Sequence, residues 1–92
     1  MGELLLKNYL EDLVIERVGK YLAQSDMCTC EGCVLDVCAI VLNGFPPKYV
    51  VTSKGALFAK AGLMQQQFEI DLMTKIVEAS QMVASSPRHR EN

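Results

Sequence analysis

The sequence predicts an all-α domain of three main helices, with a short loop or hairpin before the last helix. Two observations support this prediction. Apolar residues recur at the i, i+3 and i+4 spacing of amphipathic helices in three segments of the 92-residue chain. Clusters of Gly, Pro, Ser and Asp separate these segments. We therefore expect one domain over residues 1–86, followed by a polar tail over residues 87–92.

The first predicted helix covers residues 3–24 and carries a continuous apolar stripe. Gly19 lies inside it and costs up to about 1 kcal/mol relative to Ala, which weakens the helix without ending it. Ser25 and Asp26 then interrupt the pattern. The stripe consists of Leu6, Leu10, Leu13, Val14, Val18 and Tyr21.

The second predicted helix runs from about Glu31 to Asn43. Asn43 and Gly44 provide residues that suit a helix C-cap, and the two prolines at 46 and 47 prevent the helix from continuing. The spacing predicts an apolar stripe formed by Leu35, Cys38, Ala39 and Leu42.

A weak hairpin pattern follows the prolines. Residues 49–52 (YVVT) and 56–59 (ALFA) flank the turn-like segment 53–55 (SKG), and the first arm contains β-branched residues. A loop with one short strand fits these residues nearly as well.

The third predicted helix spans residues 61–85 and has an unusually wide apolar face. Its main stripe is Phe68, Leu72, Ile76, Ala79 and Val83, and Met64, Ile70, Met73 and Val77 widen it. Two other short helices cannot cover such a face. It fits either a buried central helix or, as we favour, an interface between two copies of the chain, where methionines pack adaptably.

Composition narrows the class of function. A net charge of −2 and a pI near 5.3 argue against general nucleic-acid binding, which needs a basic face. No apolar run approaches 18 residues, and no secretory signal is recognisable, so we expect a cytoplasmic protein. A single histidine, no nucleophile with an evident base and no phosphate-binding glycine loop indicate that the protein is not an enzyme.

Three cysteines within six residues, Cys28, Cys30 and Cys33, are the strongest chemical feature of the chain, and Cys38 follows. Zinc bonds to thiolates at about 2.3 Å, which brings neighbouring sulfurs to within about 4 Å. Ligands this close in sequence reach that geometry with one bend of the backbone. In a reducing cytosol, clustered thiols indicate metal ligands rather than disulfides, although a redox role or simple burial are the alternatives.

The fourth metal ligand is ambiguous. Cys38 lies about 140° around the helix from Cys33 and falls on the predicted apolar stripe, where it could be a core residue or a ligand. Asp36 projects from nearly the same face as Cys33. Asp36, a water molecule, His89 of the tail or a residue of a partner chain could complete the coordination instead.

The sequence resembles a known family in three places. Residues 28–37 (CTCEGCVLDV) and 42–50 (LNGFPPKYV) match the patterns C-x-C-x-x-C-x-x-D-V and L-N-x-x-P-P-x-Y-V of the ComFB late-competence proteins. Residues 8–14 (NYLEDLV) resemble the start of that family. The resemblance implies a mostly helical bacterial homodimer that binds zinc at the cysteines and regulates competence and motility through protein partners. The family carries an aliphatic residue at Cys38, which favours a core role there.

The same resemblance suggests a second function, because cyanobacterial relatives are receptors for cyclic di-GMP. Asn43, Lys48 and Tyr49 could offer an amide, a charge and a stacking ring to such a nucleotide. Arginine usually binds the phosphates and guanines, yet Arg17 lies within the first helix and the other two arginines lie in the tail. The simpler interpretation is that Asn43 caps a helix, Lys48 is solvated and Tyr49 packs against the protein.

Overall fold

Four α-helices and two short strands form the part of the chain that this computed structural model describes, namely residue 4 and residues 6–86. The helices are α1 (Tyr9–Ala23), α2 (Glu31–Asn43), α3 (Ser53–Leu63) and α4 (Gln66–Ser85), and the strands are β1 (Lys7–Asn8) and β2 (Tyr49–Val50). The prediction of an all-α fold is confirmed. The predicted tail, with His89, lies outside the described residues.

The core lies between α1, α2 and α4. Burial of each Leu, Val or Ile side chain contributes roughly 1.5–3 kcal/mol, so this three-helix bundle carries most of the apolar stabilisation. The predicted stripe of α4 is confirmed, since four of its five residues are buried and Phe68 is half-buried against Phe45. The largest buried apolar residues are Leu10, Val14, Val18 and Leu22 of α1, Val37 and Val41 of α2, and Leu72 and Ile76 of α4.

The bounds of α2 agree with the prediction, but its predicted stripe is only half right. Cys38 is buried and Leu42 is half-buried against the core, whereas Leu35 and Ala39 are exposed. The other buried apolar residues of α2 are Cys33, Val37 and Val41. Almost every residue from 33 to 42 is apolar, so the i, i+3, i+4 spacing fits two neighbouring faces, and packing against both α1 and α4 selects one of them.

The prediction that the first helix already includes residues 7 and 8 is wrong. Lys7 and Asn8 form β1, which pairs antiparallel with β2 so that Asn8 lies opposite Tyr49. Asn8 is also the N-cap of α1: its Oδ1 accepts hydrogen bonds from the backbone N–H of Leu10 at 3.1 Å and of Lys48 at 2.9 Å. The strand at residues 49–50 therefore pairs with a distant segment.

The predicted hairpin over residues 49–59 is wrong: Tyr49–Val50 is a strand, but residues 53–59 belong to α3. Thr52 caps this helix, because its Oγ1 accepts a hydrogen bond from the N–H of Gly55 at 3.0 Å. A break at residues 64–65 separates α3 from α4, so the predicted third helix starts at Gln66 rather than at residue 61. Leu63 is the one buried residue of α3, whereas Leu57 and Phe58 are about 70% exposed.

An ion pair joins α1 to the first turn of α4. The Arg17 guanidinium donates two parallel hydrogen bonds to the Glu69 carboxylate, with Nη2 at 2.9 Å from Oε2. This bidentate geometry is the strongest form of such a pair. Among the described residues, no helix combines the length and the apolar content needed to cross a membrane.

Candidate metal centre

The bend between α1 and α2 is built by local hydrogen bonds. The Ser25 hydroxyl donates to the carbonyl of Leu22 at 2.9 Å and accepts from the N–H of Met27 at 3.1 Å. One side chain thus closes the end of α1 and turns the chain toward Cys28. Serine suits this position because its hydroxyl can replace backbone partners at a helix end.

Two thiols of the cluster organise the start of α2. Cys30 is the N-cap residue, and its Sγ accepts a hydrogen bond from the N–H of Cys33 at 3.4 Å. The Sγ of Cys28 accepts from the N–H of Cys30 at 3.5 Å. This capping role was not predicted from the sequence, because Ser, Thr, Asp and Asn are the usual N-caps. The position of Cys30 directly before the predicted helix start was the available clue.

The structure brings three of the predicted ligands together. The Sγ atoms of Cys28, Cys30 and Cys33 all lie within 4.8 Å of one another. Cys28 and Cys30 are exposed, while Cys33 is buried. Shifts of less than about 1 Å would bring the sulfurs to the separation that bonds of about 2.3 Å to zinc require. The arrangement therefore fits a thiophilic cation that approaches from the solvent side.

Burial controls the protonation of the innermost thiol. It raises the pKa of Cys33 to about 12, and hydrogen bonds with Cys30 and Cys28 add to the increase. Without a cation, Cys33 is therefore a neutral thiol at physiological pH. A thiolate there requires a compensating positive charge, which a divalent metal supplies when it displaces the protons.

Two candidates for the fourth ligand lie elsewhere. Cys38 is buried in the hydrophobic core, and its burial raises the pKa of the thiol. Asp36 is also buried and lines a different cleft, together with Asn43 and Met82. Neither belongs to the cluster of three sulfurs. His89 lies outside the described residues.

The residues predicted for nucleotide binding lie at two places. Asn43 is the last residue of α2 and lines the same cleft as Asp36. Lys48 and Tyr49 do not line that cleft. Both backbone groups of Lys48 are used at the start of α1, since its N–H donates to Asn8 and its carbonyl accepts from the N–H of Tyr9 at 2.7 Å. The Tyr49 side chain is 62% exposed.

Fold and site together define a class: a small all-α protein with a three-thiol cluster at the bend between two helices of its core. The family model described as "Late competence development protein ComFB" matches residues 7–87. The chain belongs to this family, which confirms the resemblance found in the sequence.

A curated protein and a solved structure agree with this assignment. The curated Competence protein ComFB of Bacillus subtilis (strain 168) is 33% identical over 84 residues, which cover 90% of this chain and 86% of the relative. A solved structure of the late competence protein ComFB from Bacillus subtilis has a TM-score of 0.76 and 33% identity. That match covers 91% of this chain and 96% of the other.

Proposed function

We propose that this chain is a non-catalytic regulatory protein of the ComFB type, in which zinc bound by Cys28, Cys30 and Cys33 fixes the bend between α1 and α2. The observation that carries the proposal is the convergence of three sulfurs within 4.8 Å at the start of a core helix. Thiolate sulfur is the ligand atom by which zinc is held in most structural sites.

Zinc would act here on the stability of the bundle. Cys33 belongs to the core face of α2, which packs against both α1 and α4. A metal bound to the Cys33 sulfur would therefore also fix the first turn of α2. Structural zinc stabilises small domains by roughly 10 kcal/mol. A domain of this size buries a limited core, and a contribution of that order decides whether it stays folded.

Metal analysis combined with thermal unfolding tests this proposal. We expect about one zinc per chain in freshly isolated protein and a sharp fall in melting temperature on adding a strong chelator. Cys30→Ser retains a side chain able to cap α2 but removes a soft ligand, and it should lose the metal. Cys38→Ala is the matched control and should keep it. An unchanged melt with chelator, in protein free of metal, would refute the zinc site.

The proposed regulatory role is based on the similar ComFB proteins, which are named as competence proteins. We propose control of competence or motility through protein partners. In a naturally transformable host, a strain carrying Cys30→Ser should differ from wild type in transformation or swimming, while a strain carrying Cys38→Ala should not. Identical behaviour of all three strains would reject this role.

We also propose that two copies of the chain associate through the outer face of α4. Ile70 and Met73 of α4 are exposed although they widen its apolar face, and Met64, in the break before α4, is exposed as well. Met73→Glu should convert a dimer to a monomer in light-scattering measurements. Met82→Glu provides the control, because Met82 is 58% exposed against 38% for Met73 but lies on the opposite side of α4, nine residues or about 180° away. A wild-type mass of one chain would remove the proposal.

Cyclic di-GMP binding is the second candidate function, and the exposed ring of Tyr49 beside the exposed Lys48 is the observation in its favour. Arg17, the arginine within the described part of the chain, is engaged by Glu69. Calorimetric titration of the dinucleotide into the purified protein distinguishes the two functions. Absence of heat at micromolar protein would exclude the receptor function, and Tyr49→Ala should abolish any heat that is observed.

A further inference from the structure

Helix α3 carries its larger apolar side chains on its solvent side. Leu57 and Phe58 are about 70% exposed, and Ala61 is exposed as well. Together with Lys54 they follow the spacing i, i+3, i+4 and i+7, so these side chains lie on one face of the helix. The opposite side holds the buried Leu63 and two partly buried alanines. We call Leu57, Phe58 and Ala61 the outer stripe, an apolar helix face that the described part of the protein leaves uncovered.

The basic residues in the described part of the chain fall into two groups. Four of them form ion pairs with carboxylates, namely Lys7, Arg17, Lys20 and Lys75. Lys48, Lys54 and Lys60 are exposed and form no ion pair with any described residue. No Asp or Glu occurs between Asp36 and Glu69, so the segment that contains α3 has no acidic residue of its own. In a chain of net charge −2, this segment is locally positive.

Lys54 lacks compensation from its own helix as well. It lies in the first turn of α3, where the N-terminal end of a helix carries a partial positive charge and disfavours a cation. That turn contains no acidic residue. Lys60, in contrast, borders a cleft together with Asp12 and Glu16 of α1, and Lys54 does not line this cleft. A carboxylate supplied from outside the chain would therefore be stabilised beside Lys54, at one end of the outer stripe.

We propose that the outer stripe binds a segment of another protein, and that this segment presents an apolar helix face bordered by carboxylates. The inference rests on the proposal that the chain acts through protein partners, and it is independent of the zinc site. Apolar anchors at i, i+3 and i+4 spacing are the usual basis of contacts made by an amphipathic helix. Lys54 adds charge complementarity at the edge of the contact.

Charge favours a different protein over two other occupants of the stripe. In a two-fold contact between copies of this chain, each copy presents the same patch, so two α3 helices would bring lysines together without an acidic residue on either helix. An anionic membrane is typically bound through clusters of about four to eight Lys or Arg. Helix α3 has two lysines, and the chain as a whole is acidic.

Photocrosslinking in the host cell identifies the occupant of the outer stripe. Phe58→p-benzoylphenylalanine places a photoreactive ring within the stripe of the full chain. We expect it to crosslink to a segment of a different protein in which mass spectrometry finds apolar residues at helical spacing, with Asp and Glu beside them. Leu35→p-benzoylphenylalanine is the control, because Leu35 is 51% exposed but lies on α2, and it should not capture that segment.

A labelled synthetic copy of the captured segment then measures the contributions of the stripe and of Lys54. In fluorescence anisotropy titrations of the purified full chain, Phe58→Ala should weaken binding about tenfold or more, and Leu35→Ala should leave it unchanged. Lys54→Gln should weaken binding about threefold at low salt and less at high salt, because salt screens the attraction. Lys20→Gln removes a charge elsewhere on the surface and should have no such effect. All four positions are exposed, so the variants should keep the melting temperature of wild type.

Several outcomes would overturn the inference. A segment of this chain crosslinked at position 58 would show a contact between copies instead. Capture of no protein, or of a segment without acidic residues, would remove the proposed partner. Affinities of Phe58→Ala or Lys54→Gln equal to that of wild type would place the binding elsewhere. Cosedimentation of wild type, but not of Phe58→Ala, with vesicles of phosphatidylglycerol and phosphatidylcholine would assign the stripe to a membrane surface.

The same experiment separates this inference from the proposed function. No captured segment, combined with an altered phenotype of the Cys30→Ser strain, would overturn the outer stripe as a binding surface and leave the regulatory role in place. A captured acidic segment, combined with an unaltered phenotype of that strain, would support the binding surface and reject the proposed role in competence or motility.

Discussion

The bundle of α1, α2 and α4 and the outlying helix α3 are stabilised in different ways. Each bundle helix buries a full apolar face, and Leu10, Leu72 and Ile76 are almost completely enclosed. Helix α3 has one fully buried residue, Leu63, is capped by Thr52, and lies against β2 and α1 through shallower contacts. A helix of this fold can therefore contribute little to the core.

The largest effect should come from the centre of the bundle. Ile76→Ala removes a side chain with no exposed area and leaves a cavity, so we expect a loss of about 3–5 kcal/mol in the free energy of unfolding. Met82→Ala, at an exposed position of the same helix outside the proposed dimer interface, should cost less than about 1 kcal/mol. Denaturant titration at a fixed protein concentration measures both, and similar costs would contradict the assigned core.

An intermediate effect is expected at the anchor of α3. Leu63→Ala should cost about 2–3 kcal/mol and loosen α3 locally, so amide hydrogens of residues 56–63 should exchange faster while those of the bundle keep their protection. Leu57→Ala, at an exposed position of the same helix, is the control. Uniform loss of protection over the whole chain would show that α3 and the bundle unfold as one unit.

A smaller effect is expected at Asn8, which joins the start of α1 to the segment that precedes α3. Asn8→Ala removes an oxygen that accepts from the N–H groups of Leu10 and Lys48, and we expect a loss of about 1–2 kcal/mol. Asn8→Asp keeps an acceptor and should retain most of the stability. Equal melting temperatures for Asn8→Ala and wild type would disprove the bridging role.

The smallest effect concerns the ion pair between α1 and α4. The Arg17 guanidinium holds the pKa of the Glu69 carboxyl below its ordinary value. The pair therefore contributes fully above about pH 4.3, the unfolded-state pKa, and its contribution is lost as pH falls through the lower folded-state pKa. Because both side chains are partly exposed, we expect at most about 1 kcal/mol. Glu69→Gln should flatten this part of the stability–pH curve, and an unaltered curve would contradict it.

The sequence predicted best those parts of the fold that depend on local periodicity. The helix at residues 31–43 and the buried stripe from Leu72 to Val83 required nothing beyond spacing and helix-ending residues. The face of α2 could not be predicted in this way, since nearly continuous apolar sequence leaves its orientation to packing. The pairing of Asn8 with Tyr49 spans 41 positions of the chain and left no local pattern.

The residues of the candidate site also differ in this respect: local spacing predicts some of them, and tertiary packing determines the others. The clustering of Cys28, Cys30 and Cys33 could be predicted from their spacing. Residues within six positions of one another come close in space when the backbone bends once between them. Ser80 lines the same cleft as Cys28 and Cys33 and was not predicted, since it lies 47 positions beyond Cys33 and only the packing of α4 on α2 brings it there. The role of Cys30 as a helix cap was hidden by its residue type.

The double hydrogen bond at Asn8 also suggests an order of assembly. Leu10 is two residues away, so its bond to the Asn8 oxygen is available as soon as the first helical turn nucleates. Lys48 is 40 residues away, and its bond must wait until the intervening chain has folded back. The Asn8 oxygen that caps α1 early in folding is therefore in position later, when the segment around Lys48 returns and closes the loop of about 40 residues.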